Sequence, residues 1–126
     1  MQYGNGIGEI GWIDLTVAPA EAVADFYSAV VGWRKEPASM GDYNDYNMTT
    51  ASGAALGVCH ARGENAQMPP QWLAYVNVAN VADSVARCTA MGGKVRVGPK
   101  LLMGQQFAVI EDPAGAVLGI MSTDSQ

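Results

Sequence analysis

Residues 107–120 read FAVIEDPAGAVLGI, and 62 positions earlier the chain reads DYNMTTASGAALGV (45–58). In both stretches a turn glycine (Gly53, Gly115) is followed four residues later by a second glycine (Gly57, Gly119) inside an apolar run. Glycine weakens a strand, because it has the most backbone freedom to lose and no side chain to pack. Its recurrence at one point of two similar strands therefore marks an internal repeat. A shift of 61 extends it: WIDLTVAPAEAVADFYSAVVGW (12–33) falls over LAYVNVANVADSVARCTAMGGK (73–94), with Val17 on Val78 and Gly32 on Gly93. The two shifts bring like segments together in the same order, so the chain holds two copies of one unit.

Each copy opens with an alternating segment, expected as a strand with Trp12, Asp14 and Thr16, or Leu73, Tyr75 and Asn77, on one face. A helix follows. Pro19 stands near its start and Gly32 just past its end in the first copy, the asymmetry of helix termini. Val23, Phe26, Tyr27 and Val30 have the spacing of one buried stripe. In the second copy Asn80 is the expected N-cap, Val81, Val85 and Cys88 the stripe, and Gly92-Gly93 the stop. Further strands close each unit, with a tight turn at Asp112-Pro113-Ala114-Gly115 in the residue order of type I. The polar segment GENAQMPPQ (63–71), with its Pro-Pro, reads as a linker. The expected order is β-α-β-β-β twice: unit one over about 9–62 and unit two over about 72–122, within a single domain, 1–126. One unit alone would leave a sheet face bare. The expected fold is therefore α+β, with the two βαβββ units forming one cupped, barrel-like mixed sheet and the helices outside.

With 126 residues, 49% of them apolar and 15% charged, the chain is long enough for one well-packed domain. Its net charge of −5 argues against nucleic acid and anionic membrane as partners, since both call for a basic surface. Lys94, Arg96 and Lys100 form the densest basic group, read either as a solvated strand edge or as an anion site. The opening MQYGNGIGEIGW lacks the basic start and apolar run of a signal peptide, and no segment nears the roughly 18 apolar residues that span a bilayer. Two distant cysteines, Cys59 and Cys88, fit free thiols in a reducing cytoplasm.

Paired βαβββ units carrying "ADFYSAVVGW", "VADSVARCTAMGGKV" and the DPxG-type hairpin "FAVIEDPAGAVLGIM" resemble the vicinal-oxygen-chelate superfamily over about residues 9–122. That group includes glyoxalase I, extradiol ring-cleaving dioxygenases, methylmalonyl-CoA epimerase and the bleomycin and fosfomycin resistance proteins. The resemblance implies a divalent ion held by His or Glu from four strands, two per unit. At those positions this chain has Trp12, Gly57, Leu73 and Gly119. None offers the oxygen or imidazole donor that such cations need. No metal and no other cofactor is therefore expected. The repeated glycines are expected to leave space in the cup, with a strand bend or close backbone approach as the alternative reason for them.

By strand alternation and the repeat, the residues expected to line a small-molecule pocket are Trp12, Asp14, Thr16, Asp45, Asn47, Gly57 and Cys59. From the second copy come Leu73, Tyr75, Asn77, Phe107, Val109, Gly119 and Met121. The set is mostly apolar with a few polar groups, as such pockets usually are. Asp14 is read either as a general acid or base or as a structural, hydrogen-bonded carboxylate. Cys59 reads as a buried, inert thiol, and His60 as a surface or edge residue pointing away from it. Trp12 could stack on a guest, while Trp33, Trp72 and the methionines read as packing. Two functions remain open. One is metal-free binding of a small, partly apolar organic molecule, as drug-sequestering resistance proteins of the family do. The other is a lyase, isomerase or hydroxylase-like enzyme using Asp14, or a displaced metal on Asp14 and Asp45. The resemblance also admits a homodimer.

Overall fold

The computed structural model describes residues 4–61, 69–102 and 104–122. Residues 63–68 of the expected linker lie outside the described ones. The element order is β1 (Ile10–Val17), α1 (Ala20–Val31), β2 (Arg34–Ser39), β3 (Asn44–Thr50), β4 (Gly53–His60), β5 (Trp72–Asn77), α2 (Val81–Ala90), β6 (Lys94–Leu102), β7 (Gln105–Glu111) and β8 (Val117–Ser122). This is βαβββ written twice. The chain divides into a unit spanning Ile13–Trp72 and a second that joins the segment up to Trp12 to the chain from Leu73 onward.

In the first unit the strand order is β2-β3-β4-β1, with β1 parallel to β4 and the other neighbours antiparallel. Alternation along β1 sends Leu15 and Val17 into a core with Tyr46, Met48, Leu56 and Val58, while Asp14 and Thr16 take the other face. The ends of α1 are as expected: Pro19 is the N-cap, and Gly32 closes the helix in the left-handed conformation (φ 93°) with its N–H donated to the Ser28 carbonyl. The buried stripe is not as expected. Ala20 and Ala24 are fully buried and Val23 and Tyr27 partly so, whereas Phe26 is 56% and Val30 64% exposed. Two alanines at i and i+4 let the helix axis approach the sheet closely, and this turns the bulkier Phe26 and Val30 toward solvent. Lys35 ties β2 to the helix: its Nζ lies 2.7 Å from Asp25 and 3.3 Å from Glu21, and 5.3 Å from the centre of the Tyr46 ring.

The second unit repeats the arrangement as β5-β8-β7-β6, with β5 parallel to β8. Its core is Val81, Ala108 and Ile120, with Val78, Val85 and Ile110 packed against them. The Asn80 side chain caps α2 by accepting from the Asp83 N–H at 2.9 Å. The β7–β8 turn has the expected 112–115 geometry: the Gly115 N–H donates to the Asp112 carbonyl, and Asp112 Oδ1 accepts from the N–H groups of Ala114 and Ala116. Gly115 is needed there because its φ is 95°. Among the described residues no helix is long and apolar enough to cross a membrane.

Candidate functional site

The register explains how the repeat places its side chains. In the first unit Gly57 lies between Asp14 on β1 and Asn47 on β3; in the second, Gly119 lies between Tyr75 on β5 and Val109 on β7. These are equivalent positions under the sequence shifts of 61 and 62. Leu15, Tyr46 and Val58 belong to the first core and Ala108 and Ile120 to the second, so alternation puts both glycines and their cross-strand partners on the sheet face away from the helix.

The first unit's open face is polar. Asp14 is half-buried, Thr16 pairs with Cys59, and Asn47 is exposed beside the buried Gly57. A bulge sets what happens at its end. Thr49 pairs with Ala54 but Met48 with Leu56, so Ala55 is an extra residue in β4. Carried on from Tyr46↔Val58, the register brings Asp45 opposite Cys59 and next to His60. Asp45 Oδ1 accepts the His60 main-chain N–H at 2.9 Å and lies 3.2 Å from His60 Nδ1. Burial above all, and then the charges of Asp14 and Asp45 and a hydrogen bond to Asp45, push the Cys59 thiol well up. It stays protonated and is no nucleophile.

The second unit's open face is aromatic. A side chain added at Gly119 would place its Cβ 2.4–2.5 Å from Tyr75 Cδ2 and Cε2. The Tyr75 ring therefore lies directly on the glycine, with Phe107 edge-on to it at 6.3 Å between centroids and 68° between planes. The expectation that the repeated glycines leave open space is corrected here: at Gly119 the space is filled by a ring, and glycine is present so that the ring can sit flat. Both aromatic rings are half-buried, as is Met121, which pairs with Phe107; Val109 and Leu73 are buried.

Asn77 serves elsewhere. It is 5% exposed, and its side-chain amide donates to the carbonyls of Gly4 and Gly6 at 3.0 and 3.3 Å. Its main chain exchanges hydrogen bonds with Gly8 and Glu9. Gly11 makes room for it, since a Cβ there would lie 2.5 Å from Asn77 Oδ1. Asn77 is thus a clamp on the N-terminal loop, and its amide is not offered to a guest. Trp12 is half-buried on β1. Trp33 and Trp72 both pack on Tyr27, at 6.1 and 5.2 Å. Of the basic trio, Arg96 is bound to Glu111 at 2.9 Å.

Sequence reasoning missed the link between Asp45 and His60. Asp45 does share the face of Gly57 and Cys59, as expected, but His60, read as pointing away from that face, meets Asp45 at the strand end, where the pairing carries the one-residue offset of the bulge. Two tandem small residues, Ala54-Ala55, are a faint signal of it.

A divalent ion in the position the fold implies does not fit these residues. Trp12, Gly57, Leu73 and Gly119 present no donor there. Among the described residues no three or more His, Cys, Asp or Glu side chains are grouped to hold one.

A family model for the glyoxalase-like domain matches residues 12–121. The chain is 27% identical over 123 residues to a protein of Mycobacterium tuberculosis (strain CDC 1551 / Oshkosh) that carries the descriptive name glyoxylase CFP32. The match covers 97% of this chain and 47% of that protein. The chain thus spans about half the length of the curated relatives it matches. Among solved structures it is similar to the Mn(II)-bound glyoxalase from Novosphingobium aromaticivorans, with a TM-score of 0.59 and 19% identity over 94% of this chain and 40% of that one. It is also similar to Streptomyces coelicolor methylmalonyl-CoA epimerase in complex with 2-nitronate-propionyl-CoA, with a TM-score of 0.56 and 16% identity over 95% of this chain and 100% of that one. At such identities these two likenesses speak to fold alone.

Proposed function

This chain belongs to the glyoxalase-like domain family, and from that premise we propose that it binds a small, partly apolar organic molecule without a divalent metal. The observation that carries this reading is the Tyr75 ring laid on Gly119 with Phe107 edge-on beside it. The pair is half-buried on the face away from α2, an aromatic floor on which a flat guest can stack. Val109 and Met121 extend its apolar surface. The lack of donors at Trp12, Gly57, Leu73 and Gly119 supports a mode of binding different from that of the family's chelating members.

The test is a fluorescence and thermal-shift titration of the whole chain with phenols, catechols, α-dicarbonyl compounds and aromatic antibiotics, in EDTA and again with Mn(II). Saturable binding of an aromatic compound at one site per chain, unchanged by EDTA and weakened about tenfold or more by Phe107→Ala, is the expected result. Binding that requires stoichiometric Mn(II) overturns it.

A second reading, an enzyme with Asp14 as acid or base, is favoured by one observation. The Asp14 charge acts on the Cys59 thiol across the first unit's open face, so this carboxylate belongs to a shared polar surface. A displaced metal on Asp14 and Asp45 finds no sufficient donor group among the described residues.

A further inference from the structure

His60 is the one histidine of the chain, and its surroundings are those of an imidazole held for use. Asp45 Oδ1 faces ring Nδ1 at 3.2 Å and also takes the His60 main-chain N–H at 2.9 Å, so carboxylate and ring are fixed to the same residue at two points. Tyr43 meets the ring edge-on at 5.4 Å and 86°, and Tyr46 lies tilted at 6.4 Å, so the ring plane is constrained as well. The side chains of Asp45 and His60 are 14% and 27% exposed, so the pair is sheltered but not sealed from solvent.

A carboxylate oxygen only accepts hydrogen bonds, so the nitrogen facing it must carry the proton. In the neutral ring the lone pair then lies on Nε2, the nitrogen turned away from that carboxylate contact. This is the orienter-and-base arrangement found wherever an acid fixes the tautomer of a working histidine.

We propose that His60 is a general base of this protein, taking a proton from a small molecule, with Asp45 as its positioning residue. The ligand's bond to that proton breaks, its electron pair stays on the ligand, and the proton forms an N–H bond at Nε2. The resulting imidazolium is neutralised by Asp45, and the same proton can be returned to the ligand. The proposal concerns the first unit and stands apart from the aromatic floor of the second.

With a single histidine, each readout belongs to one residue. Long-range 1H–15N correlation spectra of the 15N-labelled chain in mildly alkaline buffer should show Nδ1 protonated and Nε2 bare. Diethyl pyrocarbonate, followed at 240 nm, should add one carbethoxy group per chain faster than it modifies N-acetylhistidine. Asp45→Asn should slow that reaction several-fold and remove the tautomer bias. An Nε2–H tautomer in the wild-type chain, or a modification rate below that of N-acetylhistidine, overturns the proposal, as does a rate unchanged by Asp45→Asn. The tautomer measurement needs no variant, so it decides the matter even if Asp45→Asn fails to fold. None of these outcomes bears on whether aromatic compounds bind at Phe107.

Discussion

Gly119 shows how little of a residue's reason is local. Its place in a strand looks unfavourable until the Tyr75 ring is seen lying on it. Gly119→Ala should destabilise the chain by about 1–3 kcal/mol, because the ring has to leave its place. Adding Tyr75→Ala should recover much of that loss in a double-mutant cycle read by urea unfolding; strictly additive effects would mean the two residues do not share the space. Cys59 carries a prediction in pH. Its thiol is pushed up mainly by burial, and also by Asp14 and Asp45, so the fold holds the proton more tightly than the unfolded chain does. That contribution is complete below the ordinary thiol value of about 8.5 and declines as pH rises above it, by up to about 1.4 kcal/mol per pH unit. Replacing Cys59 with serine should flatten the fall in unfolding free energy between about pH 8.5 and about pH 10.

Among the elements, α1 turns its small residues, Ala20 and Ala24, to the sheet. Large apolar residues at helical spacing suggested Phe26 and Val30 as inward, yet the sheet accepts the alanine face. Phe26→Ser should therefore change stability by no more than about 0.5 kcal/mol. Ala24→Leu, which forces a larger side chain into full burial, should cost about 1–3 kcal/mol. Comparable losses from the two would return the helix to the expected phase. The start of α2 was legible because capping is local chemistry: Asn80 accepts from the Asp83 N–H three residues on, and Asn80→Ala should cost about 1 kcal/mol. The 112–115 turn was legible for the same reason. The β3–β4 bulge was not, since its extra residue, Ala55, follows from pairing between two strands and not from either alone.

For the whole molecule, duplication is the governing fact, because Asp14↔Gly57 and Tyr75↔Gly119 are one register written twice. The copies have since diverged in use: a carboxylate faces the glycine in the first and an aromatic ring in the second. Asp14→Asn should alter ligand binding more than stability if the first unit's open face takes part in function. An equal or larger loss of stability, measured beside the binding titration, would make Asp14 structural. The sequence alone determined the repeat, the βαβββ order and the absence of donors at the four chelating positions, because periodicity, caps and turns act over a few residues and the identity of a side chain needs no coordinates. Only the tertiary structure decided which helix face is buried, that a ring occupies the room over Gly119, that Asn77 is committed to the N-terminal loop and that Asp45 grips His60. Each of these depends on how closely separate segments approach and on a one-residue offset in pairing, and no short stretch of sequence contains either.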